Sequence, residues 1–219
     1  MVERVSPPAA VLWDMDGTLV DTEPYWIECE RSLVESHGGT WRDEDALALV
    51  GGNLTDAGRY IRDVGGVDLT PEQIVDTLLD GVVEKVEQHV PWRPGALDLL
   101  TALREEGMPC ALVTMSYERF VAPVLRRLPR GSFDVVVTGD AVSQGKPHPE
   151  PYLKAAGLLG LAPGECVAIE DSLTGIASAE AAGVPLLAVE HLVPVPERAG
   201  RTVVRSLDGW TAKDLGKLL

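Results

Sequence analysis

Asp14-Met15-Asp16-Gly17-Thr18 sets two carboxylates one residue apart, directly after the apolar run Ala9 to Trp13 and just before a glycine. Carboxylates are costly to cluster without compensation, so a pair at the mouth of a buried strand calls for a metal, a shared proton or both. Three more segments carry groups of the same kind: Val113-Thr114-Met115-Ser116, Gly145-Lys146-Pro147-His148-Pro149, and Ile169-Glu170-Asp171-Ser172. Each of the four ends a predicted strand or starts the loop beyond one. All four are therefore expected at one rim of a sheet.

The elements that must position them follow from the apolar pattern. Short β-rich runs recur at Ala9 to Trp13, Cys110 to Thr114, Asp134 to Thr138, Cys166 to Glu170, Leu186 to Val189 and, weakly, Thr202 to Val204. Helical patterns separate most of them: Gly95 to Glu106, Glu118 to Leu128, Pro149 to Leu158, and Thr174 to Ala182 ending at Gly183. This alternation predicts an α/β fold, with parallel strands joined by right-handed crossovers and ligands at the strands' carboxyl ends. One interval breaks it. Between Glu23 and His89 only helices are predicted, at Tyr25 to Ser36, Asp43 to Leu49, Thr55 to Val64 and Pro71 to Val90, with Thr70 and Pro71 as a helix start. The division expected is a core of residues 1–21 and 92–219 and an α-helical cap of residues 22–91 over the first motif, with Pro91 to Gly95 as the return linker.

Composition limits the function. The 219 residues carry 34 acidic against 19 basic side chains, a net charge of −15, so nucleic acid and anionic membrane surfaces are disfavoured as partners. Any phosphate must be caught locally, by a cation, a lysine or aimed backbone N–H groups. Cys29, Cys110 and Cys166 form no metal-binding spacing and cannot all pair, which fits a reducing compartment. No apolar run approaches the ~20 residues that span a bilayer, and Met1 to Pro8 show no apolar leader; a soluble, cytoplasmic protein is expected.

The four segments, in this order and spacing, resemble the haloacid dehalogenase superfamily, in particular its capped phosphatase and β-phosphoglucomutase-like branch, over nearly the whole chain. The resemblance implies a Rossmann-like sheet and phosphoryl transfer with Mg²⁺. On the family pattern Asp14 is the nucleophile that forms an aspartyl-phosphate, and Asp16 is the acid/base two residues on. Mg²⁺ is bound by the Asp14 and Asp171 side chains and the Asp16 carbonyl, with Glu170 acting through a coordinated water or behind the ligands. Lys146 holds the phosphate and offsets Asp14, and the Thr114 hydroxyl binds another phosphoryl oxygen. Blander uses compete with each role: Asp14 and Asp16 as turn caps, Lys146 as a solvated loop residue, Thr114 as a strand end. Ser172 is read as a helix N-cap, Thr138-Gly139-Asp140 as a plain turn, and the four histidines as surface or loop residues.

Departures from the family narrow the substrate. Trp26 stands where the mutases have a histidine, Gly51-Gly52-Asn53-Leu54 where they carry an arginine, and Tyr117 where they have a lysine after the serine matched by Ser116. Water is thus the expected final acceptor, with a sugar phosphomutase or a non-catalytic phosphometabolite binder as alternatives. Asp16 argues against dehalogenation. The expected partner is a small-molecule phosphate ester, read by Glu23, Trp26, Asn53 and Ser116, with Arg59 a weaker contributor, on a monomer or weak dimer.

Overall fold

The computed structural model describes residues 6–198 and 201–219; the reading of residues 1–5 as no part of a leader lies outside them. Six strands, β1 (Ala10–Trp13), β2 (Cys110–Val113), β3 (Val135–Val137), β4 (Cys166–Glu170), β5 (Leu186–Val189) and β6 (Thr202–Val204), form one parallel sheet ordered β3-β2-β1-β4-β5-β6. The weak run at Thr202 forms β6, one of the two edge strands. Helices α1 (Glu23–Ser36), α2 (Asp43–Leu47), α3 (Leu54–Gly65) and α4 (Pro71–Gln88) all precede α5 (Ala96–Glu105); α6 (Glu118–Leu125), α7 (Glu150–Leu159), α8 (Leu173–Ala182) and α9 (Ala212–Leu215) follow. Helices α2, α4 and α6 end earlier than predicted, and for α4 the reason is Pro91, since the residue preceding a proline is pushed out of helical conformation. Thr138-Gly139-Asp140 tightens into a 3₁₀ turn at Gly139–Ala141.

Strands buried on both faces should read as continuous apolar runs, and the period-2 alternation then divides their side chains between two cores. Val11, Trp13, Leu112, Val167, Ile169 and Leu187 face one side, where Leu99, Leu103, Phe120 and Val124 of α5 and α6 cover them. Ala10, Leu12, Val113, Ala168 and Ala188 face the other, where Tyr152, Ala155, Ile176 and Ala179 of α7 and α8 pack. The first core runs unbroken through Met15, Leu19 and Trp26 into the helices of the insertion, reaching Val34, Ile61, Leu78 and Val82.

The chain enters and leaves the helical insertion through adjacent backbone. Val20 and Trp92 form an antiparallel bridge, the Asp21 N–H donates to the Pro91 carbonyl at 2.7 Å, and the Arg93 N–H donates to the Leu19 carbonyl at 3.0 Å. His191 lies in the loop after β5 as expected, yet its ring is tucked against this junction, 2.9 Å from both Arg93 Nη1 and Asp21 Oδ1. Burial, then the Arg93 charge, holds its pKa below the ordinary imidazole value. Farther out, Arg119 of α6 pairs with Asp76 and Asp80 of α4, and Arg126 with Glu87. No helix among the described residues is long and apolar enough to cross a membrane.

Buried carboxyls lie inside the insertion, Glu23 and Glu30 on α1 and Asp45 on α2. Glu30 of α1 is buried and accepts a hydrogen bond from Trp41 Nε1 at 3.2 Å. Burial pushes its carboxyl up to about 7, against the opposing effect of that hydrogen bond. A carboxyl raised in the folded state contributes stability that is fully present below its unfolded value and is lost as pH rises through the folded value. Glu30→Gln keeps the acceptor and removes the titration. Its thermal midpoint should match the parent near pH 4 and exceed it by pH 8, a gain on the order of 2 kcal/mol; parallel pH curves for the two proteins would contradict this.

Candidate active site

The sheet order reverses at β1, which has β2 on one side and β4 on the other. A crevice opens at the carboxyl end of such a strand because the connections on its two sides leave in opposite directions. Asp14 follows β1 directly, its N–H donating to the Ile169 carbonyl at 3.0 Å, and the pairing of Trp13 with Ile169 sets Asp14 beside Glu170. The Lys146 ammonium lies in the crevice between them, 2.6 Å from Asp14 Oδ1 and 2.6 Å from Glu170 Oε1, and donates to the Val113 carbonyl at 2.9 Å. An ammonium has three N–H donors, and all three are taken. Tyr152 of α7 donates its hydroxyl to Glu170 Oε1 at 2.7 Å.

Asp16 is held separately. After Asp14 the chain folds into a turn in which the Met15 carbonyl accepts from the N–H groups of Leu19 and Val20, at 2.9 and 3.0 Å. Thr22 donates to Asp16 Oδ1, and Ser116 to Oδ2 at 2.7 Å, with Thr114 Oγ1 at 3.4 Å. Ser116 is thus fixed by an acidic partner, and the Ser116 N–H in turn donates to Thr114 Oγ1 at 3.0 Å. Both residues line the cavity above Asp14.

Charge is unbalanced here. Asp14, Asp16, Glu170 and Asp171 face one ammonium. Burial and the neighbouring Glu170 push Asp14 up to about 7 against the pull of Lys146, and burial, then Asp14 and Glu170, raise Asp171 well above the carboxylate range. Burial raises Asp16 too, opposed by its hydrogen bonds from Thr22 and Ser116. For Lys146 burial acts downward, and the two carboxylates override it to hold the ammonium charged. A cation fits this set: Asp14, Glu170 and Asp171 each offer a carboxylate oxygen within 4.8 Å of the others. Asp14 Oδ2 is buried with no hydrogen-bond partner, an orphaned carboxylate oxygen that the protein itself leaves unmatched. Gly17, at φ +85°, lets the loop pass so close that a Cβ there would lie 2.0 Å from Asp171 Oδ2.

Comparison with known proteins agrees with this geometry. The profile of the haloacid dehalogenase-like hydrolases matches residues 11–189. The chain belongs to this family. It is 31% identical to hexitol phosphatase B of Escherichia coli K12 over 94% of this chain and 96% of that one, and 34% identical to N-acetylmuramic acid 6-phosphate phosphatase of Pseudomonas aeruginosa over 86% and 84%. Its fold superposes on CbbY from Rhodobacter sphaeroides, solved with xylulose-1,5-bisphosphate, with a TM-score of 0.84 and 26% identity over 95% of this chain and 99% of that one. As a member of the haloacid dehalogenase-like hydrolases with such relatives, the chain is a phosphatase.

Within this family member the residues expected to read substrate are not all together. Glu23 and Trp26 line the cavity with Ser116; Trp26 is buried edge-on against Phe120, with ring centroids 5.3 Å apart. Asn53 and Arg59 are elsewhere. The Asn53 side chain caps α3, accepting from the Asp56 N–H at 2.9 Å, because an extended Asn before a helix satisfies a free N–H of its first turn; Arg59 is exposed and pairs with Asp56. Gly51 and Gly52, beside them, do line the cavity, and Thr174 donates to the Gly51 carbonyl at 2.7 Å.

Thr22, which donates to Asp16, and Tyr152 and Gly175, which surround Glu170, are given no role by the sequence. Tyr152 supplies a donor to Glu170, and Gly175 on α8 leaves the space that the Glu170 carboxyl fills, since a Cβ there would lie 1.9 Å from Oε1. A tyrosine on an alanine-rich buried helix face was the available signal, as a buried hydroxyl needs a partner. Gly→Ala in an open helix stabilises by about 1 kcal/mol. Here Gly175→Ala should instead lower stability by about 1–3 kcal/mol and cut turnover of p-nitrophenyl phosphate, as Glu170 is forced off Lys146. A Gly175→Ala protein that is both more stable and fully active would contradict the packing.

Proposed function

We propose that this phosphatase is a Mg²⁺-dependent phosphomonoester hydrolase for small phosphorylated carbohydrates, working through an aspartyl-phosphate on Asp14. The observation that carries the reading is the state of the Asp14 carboxylate: Oδ1 is held by Lys146, and Oδ2 is buried without any hydrogen-bond partner. Such an oxygen is aimed and unsolvated, as a nucleophile should be. The Asp14 and Asp171 carboxylates and the Asp16 carbonyl, with Glu170 behind them, would hold Mg²⁺, which would supply the positive charge that the site lacks and offset that of the phosphoryl oxygens. Asp14 Oδ2 forms a bond to phosphorus as the ester oxygen leaves, and Asp16 gives that oxygen its proton. In the second half Asp16 takes a proton from water, whose oxygen displaces Asp14 and releases inorganic phosphate. Thr114, Ser116 and the turn at Asp16 keep the acid/base aimed throughout.

The division of labour proposed is a core of residues 1–21 and 92–219 and a cap of residues 22–91, moving about the paired linkers at Val20 and Trp92 to admit substrate and exclude water. The relatives support the substrate class, since each of the three proteins compared is named with a phosphorylated carbohydrate or its derivative, or with the phosphatase of one. Asp14→Asn and Asp16→Asn should each reduce p-nitrophenyl phosphate turnover by at least about 10³-fold while far-UV circular dichroism stays unchanged. Dialysis against EDTA should abolish turnover and added Mg²⁺ should restore it. Full turnover by Asp14→Asn, or by the metal-stripped protein, would overturn the mechanism.

A further inference from the structure

The cavity above Asp14 extends upward along one face of α1, where Glu23, Trp26 and Glu30 recur at the helical spacing that aligns side chains. Glu23 is only 8% exposed and makes no hydrogen bond with any described residue, although a buried carboxyl would normally be partnered. Glu30, 5% exposed, uses Oε2 for Trp41 and leaves Oε1 without a protein donor. The remainder of the upper wall is apolar, with Ala46, Leu49, Leu54 and Leu78. Among the described residues lining this cavity, Lys146 is the one cation, and its three donors are already committed to Asp14, Glu170 and the Val113 carbonyl.

We infer that Glu23 and Glu30 read hydroxyl groups on the part of the substrate distant from the reacting phosphate, and that the same wall rejects esters carrying a second anionic group there. Hydroxyls donate and accept, so they satisfy a carboxyl in either protonation state. A second phosphate or a carboxylate entering the cavity would be stripped of water with no free cation to meet it, and an uncompensated buried charge is far costlier than an unmatched hydroxyl. The inference rests on the phosphatase reading and sharpens it: the substrate is a monophosphate whose other end is neutral and hydroxylated. It also separates this chain from relatives whose named compounds carry a second phosphate or a carboxylic acid.

Matched pairs of esters test it on the unmodified protein with Mg²⁺. Glycerol 3-phosphate against 3-phosphoglycerate exchanges a terminal hydroxymethyl group for a carboxylate, and fructose 6-phosphate against fructose 1,6-bisphosphate adds only a second phosphate. The neutral-ended member of each pair should have a kcat/KM about 100-fold higher. Glu23→Ala, which breaks no protein hydrogen bond, should raise KM for fructose 6-phosphate about tenfold with a smaller change in kcat. Glu30→Ala should act likewise and Glu30→Gln should restore KM; a thermal melt identifies any loss of fold, in which case Glu23→Ala and the ester pairs decide. Equal kcat/KM within both pairs, unchanged KM in Glu23→Ala, or hydrolysis of p-nitrophenyl phosphate with none of the four metabolites turned over would each overturn this inference while leaving hydrolysis standing. No turnover of any ester would instead overturn the phosphatase reading beneath it.

Discussion

The Lys146 ammonium is the contact on which the rest of the site depends. It joins the ends of three adjacent strands, through Asp14 after β1, Val113 on β2 and Glu170 on β4, and it lies in a crevice where acidic groups outnumber it. Without it Asp14 and Glu170 would face each other as buried like charges, which a low-dielectric interior penalises heavily. With it, one Asp14 oxygen is committed and the other is left bare. A lysine used in this way is a structural strut as well as a charge, and the expectation that it also grips a phosphate has to share its three donors with three protein acceptors.

Glu170 supports that strut from behind. Its Oε1 takes both Lys146 and Tyr152, and Gly175 vacates the volume its carboxyl occupies. The acid/base candidate is built on the other side of the crevice, where Thr22 and Ser116 hold Asp16 from the insertion's entry and from the loop after β2. Two carboxylates one residue apart thus receive different surroundings, one a lysine and the other two hydroxyls, because the turn around the Met15 carbonyl splits their directions. Different surroundings are what let chemically identical side chains take different parts in one reaction.

The helical insertion contributes a wall of a different character. Its apolar interior is continuous with one core of the sheet, yet α1 presents two buried carboxyls to the cavity, and no lysine or arginine of α1–α4 answers them there. Cations of the insertion are paired on its surface, Arg31 with Asp43 and Arg59 with Asp56, and Arg119 of α6 and Arg126 just after it meet the acidic edge of α4. Such exposed pairs contribute little to stability individually. The charge that shapes binding is therefore carried by the core, and the insertion offers shape and hydrogen bonding.

Much of this was readable from residue order. The apolar runs gave the strands, because a strand buried on both faces must be apolar throughout; the acidic pairs, Thr114 and Lys146 could be placed at one rim because each follows such a run. Local capping chemistry was equally readable at Thr70, Pro71 and Ser172. What the sequence could not supply is which distant groups meet. Tyr152 and Gly175 sit in helices whose periodicity only says that they face inward, and their shared neighbour Glu170 is decided by how α7 and α8 pack on the sheet. Asn53, read as a substrate contact from its position in the chain, turned out to satisfy its own helix, and Glu30 carried no local signal at all. Local pattern determines what each segment is, since periodicity, caps and turns act over a few residues. Only the tertiary structure decides which buried charges share a cavity, which are matched and which are left for a ligand.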